Sequence, residues 1–208
     1  MSIDVLGNLF GSVNRVKILR LFLFNEMDQY EKEDIVNFTK VPTAKITKEL
    51  NTLEKVGIIK KTSFFKEVEN KKTGKITKKR TSGYIANNKF MYFRSLQSML
   101  IKSAPVDENG LGKKIKKAGS IKAIIVSGLF IQDNDSVVDL LVIGDRIKMP
   151  VLRNAISTIE SELGKPLKYT VFSTSDFKYR LTMYDRLVRD ILDYPHVIIH
   201  DSMGIDNL

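Results

Sequence analysis

Thr43, Lys45, Thr47, Lys48 and Asn51, with Thr52 beside them, recur on one side of a 3.6-residue period, while Ile46, Leu50 and Leu53 fall on the other at i, i+4 and i+7. Hydroxyl, amide and ammonium groups on one exposed helical face are donors suited to phosphate oxygens and base edges. The chemistry implied is recognition of a nucleic-acid duplex, with phosphate contact and base readout not separable on this pattern. A second set, Lys71, Lys72, Lys75, Lys78, Lys79 and Arg80, gathers six positive charges close together. Each can displace a counterion condensed on a phosphate. Taken alone, the same set reads equally as a solvated, lysine-protected hairpin edge; beside a helix of that polarity, phosphate contact is the favoured reading.

These residues need elements to hold them. The first set sits on a helix entered through Lys40-Val41-Pro42, with Thr43 as its expected N-cap, and closed by Gly57 in a left-handed cap. Ile58–Val68 and Ile76–Ala86 read as two strands joined by a Gly-containing turn, which carries the second set. Upstream, Ile3–Asn25 is helical with an interruption near Gly11-Ser12, and Tyr30–Thr39 is a short helix with Ile35, Val36 and Phe38 inward. Asn88–Ser103 returns to helical spacing through Phe93, Leu96 and Leu100. Its apolar face either packs on the first helix or forms a dimer seam. Helix, turn, helix, Gly, apolar pair and basic hairpin in this order resembles a winged helix-turn-helix, which implies a helix in the major groove and two-fold homodimers on palindromic DNA.

The charge is divided unevenly. Of the 208 residues, 1–104 hold 20 basic and 10 acidic side chains, whereas 105–208 hold 14 of each, so the whole net charge of +10 lies in the first half. The boundary is expected after Ala104, giving domains 1–104 and 105–208. With 43% apolar residues, each half can build a core. Absence of cysteine excludes disulfides, zinc-thiolate sites and thiol nucleophiles. No basic n-region and no apolar run of about 20 residues is found, so a cytoplasmic protein with no membrane partner is expected.

In the second half, Ile121–Ser127, Ser136–Ile143, Leu167–Ser173 and His196–His200 read as strands, and Pro150–Leu163 and Ser175–Leu192 as helices. The fold class is therefore α/β overall, with a mixed sheet in the second domain. Ser127-Gly128-Leu129 after one strand, and Val137-Val138-Asp139-Leu140-Leu141-Val142-Ile143 on the next, resemble the minimal nucleotidyltransferase fold of the DNA polymerase beta superfamily over residues 111–200. That resemblance implies a Gly-Ser pair for nucleotide phosphates and three carboxylates for two metal ions. Gly128 and Asp139 fit the motif. Leu129 replaces the serine, Val137 the first aspartate, and Tyr169 or Thr170 the third carboxylate.

Taken whole, the chain resembles a prokaryotic group of transcriptional regulators that join an ArsR-like winged helix to a degenerate nucleotidyltransferase domain. The resemblance implies a sequence-specific regulator of double-stranded DNA whose second domain dimerises or senses a small-molecule or protein effector. No catalytic residue, no metal ligand and no cofactor is expected. Asp139 has the role of a structural hydrogen-bond acceptor, and Asp133, Asp135 and Asp145 read as turn formers. Three alternatives stay open: a nucleotidyltransferase with an atypical metal site acting on nucleic acid or a toxin-like protein partner, an interaction protein, and nucleotide sensing at Gly128. His196 and His200, at i, i+4 on one strand, read as edge histidines rather than metal ligands. Arg180, Arg186 and Arg189 read as partners of interleaved aspartates.

Overall fold

The computed structural model describes residues 3–69, 76–102, 108–133 and 135–205. It is a mixed α/β chain with two sheets, dividing into one compact unit of Met1–Ala104 with Ser161–Lys165 and another of Pro105–Glu160 with Pro166–Leu208. Among the described residues no helix is long and apolar enough to cross a membrane.

The first unit runs α1 (Ile3–Leu9), α2 (Val13–Phe24), β1 (Gln29–Tyr30), α3 (Lys32–Thr39), α4 (Thr43–Val56), β2 (Ile59–Glu69), β3 (Ile76–Ala86) and α5 (Phe93–Gln97), which continues as a π-helical turn through Lys102. α2 is central: Val16, Ile18, Leu19, Leu21, Phe22 and Leu23 are all buried. Ser12 caps it by accepting from the Arg15 amide. Ile35 from α3, Ile46, Leu50 and Leu53 from α4, and Phe93 and Leu100 pack with this helix in one core. Each such side chain contributes about 1.5–3 kcal/mol on burial.

Two caps fix α4. Pro42, not Thr43, is the flanking residue, because its carbonyl already accepts from the amides of Lys45 and Ile46; Thr43 is the first helical residue. At the other end Gly57, with φ 89°, donates its amide to Leu53 and Glu54. A side chain there would be strained, since the left-handed conformation costs non-glycine residues about 1 kcal/mol or more. The chain then turns directly into β2, whose pairing with β3 runs unbroken from Ile59↔Ala86 to Glu69↔Ile76. β1 adds to the other edge of β3, giving the order β1-β3-β2.

The second unit holds α6 (Glu108–Lys116), β4 (Ser120–Val126), a 3-10 turn (Gly128–Phe130), β5 (Leu140–Asp145), most of α7 (Met149–Leu163), β6 (Tyr169–Phe172), α8 (Thr174–Thr182), α9 (Arg186–Asp193) and β7 (Val197–Asp201). The sheet order is β6-β5-β4-β7, with β5 and β6 parallel and the other pairs antiparallel. The two inner strands are apolar and buried over Ala123–Val126 and Leu140–Ile143, as strands covered on both faces are, with Ser120, Lys122 and Asp145 toward their other ends.

Three expectations are corrected here. Ser175–Leu192 is two helices, because Tyr184 takes φ 54° and Asp185 caps a fresh start by accepting from the Val188 amide. β5 begins at Leu140, so Val137, Val138 and Asp139 precede the strand. Asn88–Ser103 becomes regular only at Phe93, because Asn87 to Phe90 form a turn closed by Phe90 donating to the Asn87 carbonyl.

Candidate nucleic-acid interface

One charged side chain lies on the buried face of α4. Glu49 is 6% exposed, between Ile46 and Leu53 on the inner face, and both its oxygens are met. Ser12 Oγ donates to Oε1 at 2.7 Å, and Arg15 Nε donates to Oε2 at 2.9 Å. Arg15 Nη1 donates in turn to the Phe10 carbonyl at 2.7 Å. The α1–α2 corner thus grips α4 at one point and fixes its rotation about its own axis. Sequence periodicity missed this pair. The available signal was a glutamate in an apolar stripe, which demands a buried cation.

With that face held inward, Thr43, Lys45, Thr47, Lys48 and Asn51 are all exposed. Thr52 is half-buried and donates to the Lys48 carbonyl, so its hydroxyl serves its own helix. Lys32, at the start of α3, donates Nζ to Thr47 Oγ1 at 2.5 Å and extends the polar face by a cation that periodicity within α4 could not reveal. Lys45 and Lys48 are in no ion pair among the described residues.

In the hairpin, Lys71, Lys72 and Lys75 lie outside the described residues. Lys78, Lys79 and Arg80 are exposed on β3. They divide between the two hairpin faces: Lys79 stands opposite Lys66, whereas Lys78 and Arg80 stand opposite Glu67 and Phe65. Two neighbouring lysines are engaged internally. Lys61 pairs with Glu54 at 3.0 Å, which raises the Lys61 ammonium above its usual value. Lys66 pairs with Glu31 and Asp34, each at 2.8 Å. Glu31 and Asp34 also form the reciprocal capping box of α3, and Glu31 accepts from the Thr81 hydroxyl on β3. The hairpin base is therefore braced against the start of α3.

No protein-family model, curated protein or solved structure matches this chain.

The Gly128 loop of the second unit is closed on itself. Gly128 has φ 51°, and a Cβ there would meet the Asp139 carboxylate. Asp139 Oδ1 accepts from the Leu129 amide at 2.8 Å and Oδ2 from the Lys168 amide at 2.8 Å. The Leu129 amide is thereby committed to the protein's own carboxylate. Asp145 accepts from the Thr174 amide and hydroxyl, and Asp133 from the Asp135 amide. His196 lies just before β7 and bonds the Tyr194 carbonyl through Nδ1, while His200 pairs with Ile124 on β4; their i, i+4 spacing therefore does not fall within one strand. Arg180 meets Asp176 and Asp185, and Arg189 meets Asp193. Among the described residues no three His, Cys, Asp or Glu side chains form a group suited to a metal ion.

The Glu49 tie predicts a coupled stability effect. Glu49→Ala strands Ser12 and Arg15 and should cost about 1–3 kcal/mol in urea unfolding, whereas the further loss in Arg15→Ala/Glu49→Ala should be well below the sum of the single changes. Full additivity in the double-mutant cycle would show that the pair is not coupled.

Lys66 first, and then the Thr81 hydroxyl, hold the Glu31 carboxyl below its ordinary value of 4.5. A carboxylate lowered by folding stabilises the fold above its unfolded pKa, and this contribution is lost as pH falls through the lowered one. A carbon-detected NMR titration should place the Glu31 midpoint below 4.5, and Lys66→Met should move it up. A midpoint unmoved by that substitution would contradict the brace.

Proposed function

We propose that the first unit is a winged helix that binds double-stranded DNA, with α4 in the major groove and the β2–β3 hairpin along the backbone, and that the chain is a cytoplasmic, sequence-specific transcriptional regulator. The observation that carries this reading is the face of α4 itself. Lys45 and Lys48 stand exposed and, among the described residues, without ion pairs, beside Thr43, Thr47 and Asn51, on a helix whose rotation is fixed by Glu49. The order of helices and the three-stranded antiparallel sheet around them support it. So does the confinement of the net charge of +10 to residues 1–104.

A homodimer is part of this proposal. Met91, Tyr92 and Met99 expose apolar surface along the segment that carries α5, which suits a second copy. The second unit is read as a non-catalytic relative of nucleotidyltransferases. Support comes from Asp139, both of whose oxygens are spent on backbone amides, and from the aliphatic side chains at Leu129 and Val137.

Fluorescence anisotropy on labelled duplexes at several salt concentrations tests the assignment of roles. Replacing Lys78, Lys79 and Arg80 by alanine should weaken all duplexes alike and lower the salt slope by about 2–3. Thr47→Ala and Asn51→Ala should instead reduce discrimination between sequences, by about 1–3 kcal/mol where a base contact is lost. An unchanged slope in the hairpin variant, or unaltered discrimination in both helix variants, would contradict the proposed docking.

A further inference from the structure

Burial alternates along β2: Thr62, Phe64 and Lys66 are half-buried, whereas Lys61, Ser63, Phe65 and Glu67 are exposed. The inner face is engaged. A Cβ on Gly83 would meet the Tyr30 carbonyl and the Phe64 ring, and Lys66 reaches Glu31 and Asp34. On the outer face Tyr84, Ser82, Arg80 and Lys78 of β3 stand opposite Lys61, Ser63, Phe65 and Glu67 in turn. Phe65 is 69% exposed there, with Arg80 directly across from it.

A phenyl ring left in water forgoes the burial that makes such residues core formers. Charge alone would protect a hairpin, yet this one sets an aromatic ring among cations, and Ile76 is a second exposed apolar side chain on the same face. That face also adjoins the polar side of α4. Thr47, Asn51 and Glu54 share one stripe of the helix at i, i+4 and i+7, and Lys61 pairs with Glu54 at 3.0 Å.

We propose that Phe65 is a wedge for duplex DNA: the outer face of the hairpin lies over the minor groove, the ring enters between two stacked base pairs, and Arg80 and Lys78 meet phosphates beside it. The inference rests on the DNA-binding reading above and adds to it a kink in the DNA, since an apolar side chain inserted at a base step unstacks it and bends the duplex. Charge names the occupant. Arg80 and Lys78 are in no ion pair among the described residues, and the net charge of +10 lies within residues 1–104. Cations beside one planar ring match phosphates beside planar bases. Pyrimidine–purine steps unstack most readily, so such a step under Phe65 is preferred without any hydrogen bond to a base.

The test uses full-length protein and a short duplex of mixed sequence, either fully paired or mismatched at its centre, with a dye at each end. A mismatch has already given up stacking that a wedge must break, so the native protein should bind it about tenfold or more tightly than the paired duplex and draw its ends together. Phe65→Ala should bring that ratio within about twofold and leave the probe unbent, whereas Phe65→Leu, still an apolar wedge, should keep most of the preference. The ratio on the native chain decides the matter even where Phe65→Ala fails to fold. Equal binding of the two probes, or a ratio unchanged in Phe65→Ala, would overturn the wedge while leaving duplex binding in place. Tighter binding of the corresponding single strand than of either duplex, or a sedimenting dimer that Phe65→Ala dissociates, would assign the ring to another partner and overturn it as well. No binding of any duplex at low salt would overturn the DNA-binding reading, and the wedge with it.

Discussion

Glu49 can be buried only because Arg15 and Ser12 meet both of its oxygens, and the presentation of α4 depends on that one cluster. An isolated carboxylate in this position would lose several kcal/mol of hydration, on the order set by ion burial in proteins. Apolar contacts alone are non-directional, so Ile46, Leu50 and Leu53 would tolerate some rotation of the helix. A hydrogen-bonded ion pair does not. By fixing the inner face it fixes the outer one, and Thr43, Lys45, Thr47, Lys48 and Asn51 share one exposed surface as a consequence. The hairpin inherits this placement, because Gly57 ends α4 and buried Ile58 and Ile59 lead straight into β2.

Charge is sorted within the first unit rather than spread over it. Lys61 and Lys66 are spent on Glu54, Glu31 and Asp34, which brace the base of the hairpin. Lys45, Lys48, Lys78 and Arg80 stay without ion pairs among the described residues, and these are the cations that a polyanion would meet first. In the second unit the aspartates are occupied in the opposite sense: Asp139 and Asp145 each accept two hydrogen bonds from the protein itself. A carboxylate committed to backbone amides shapes a loop, which is the part Asp139 has at Gly128.

Periodicity made much of the fold readable. The i, i+4, i+7 stripe of Ile46, Leu50 and Leu53 located α4, and Gly57 located its end. The strands expected at Ile58–Val68 and Ile76–Ala86 differ from β2 and β3 by one residue at each end of the first. What stayed hidden depends on contacts distant in sequence. Glu49 looks like an interruption of an apolar stripe until Arg15, thirty-four residues away, is beside it. Lys32 joins the face of α4 only through tertiary packing. The capping box of Glu31 and Asp34 has a spacing that could have been read, and it would have moved the start of α3 to Lys32. The helix break at Tyr184 was obscured because Leu181, Leu187, Val188 and Ile191 keep near-helical spacing across the corner, although Asp185 was a visible cap signal.

On the proposed docking, the outward face of α4 reads a DNA duplex. Selection of duplexes from a random pool by the purified full-length protein, with salt-dependent binding of the winner against scrambled DNA, tests it most directly. The expected outcome is an enriched motif of two-fold symmetry, bound with a steep salt slope and a large preference over scrambled sequence. A folded protein that enriches no sequence, or that binds the winner and scrambled DNA alike, would contradict it.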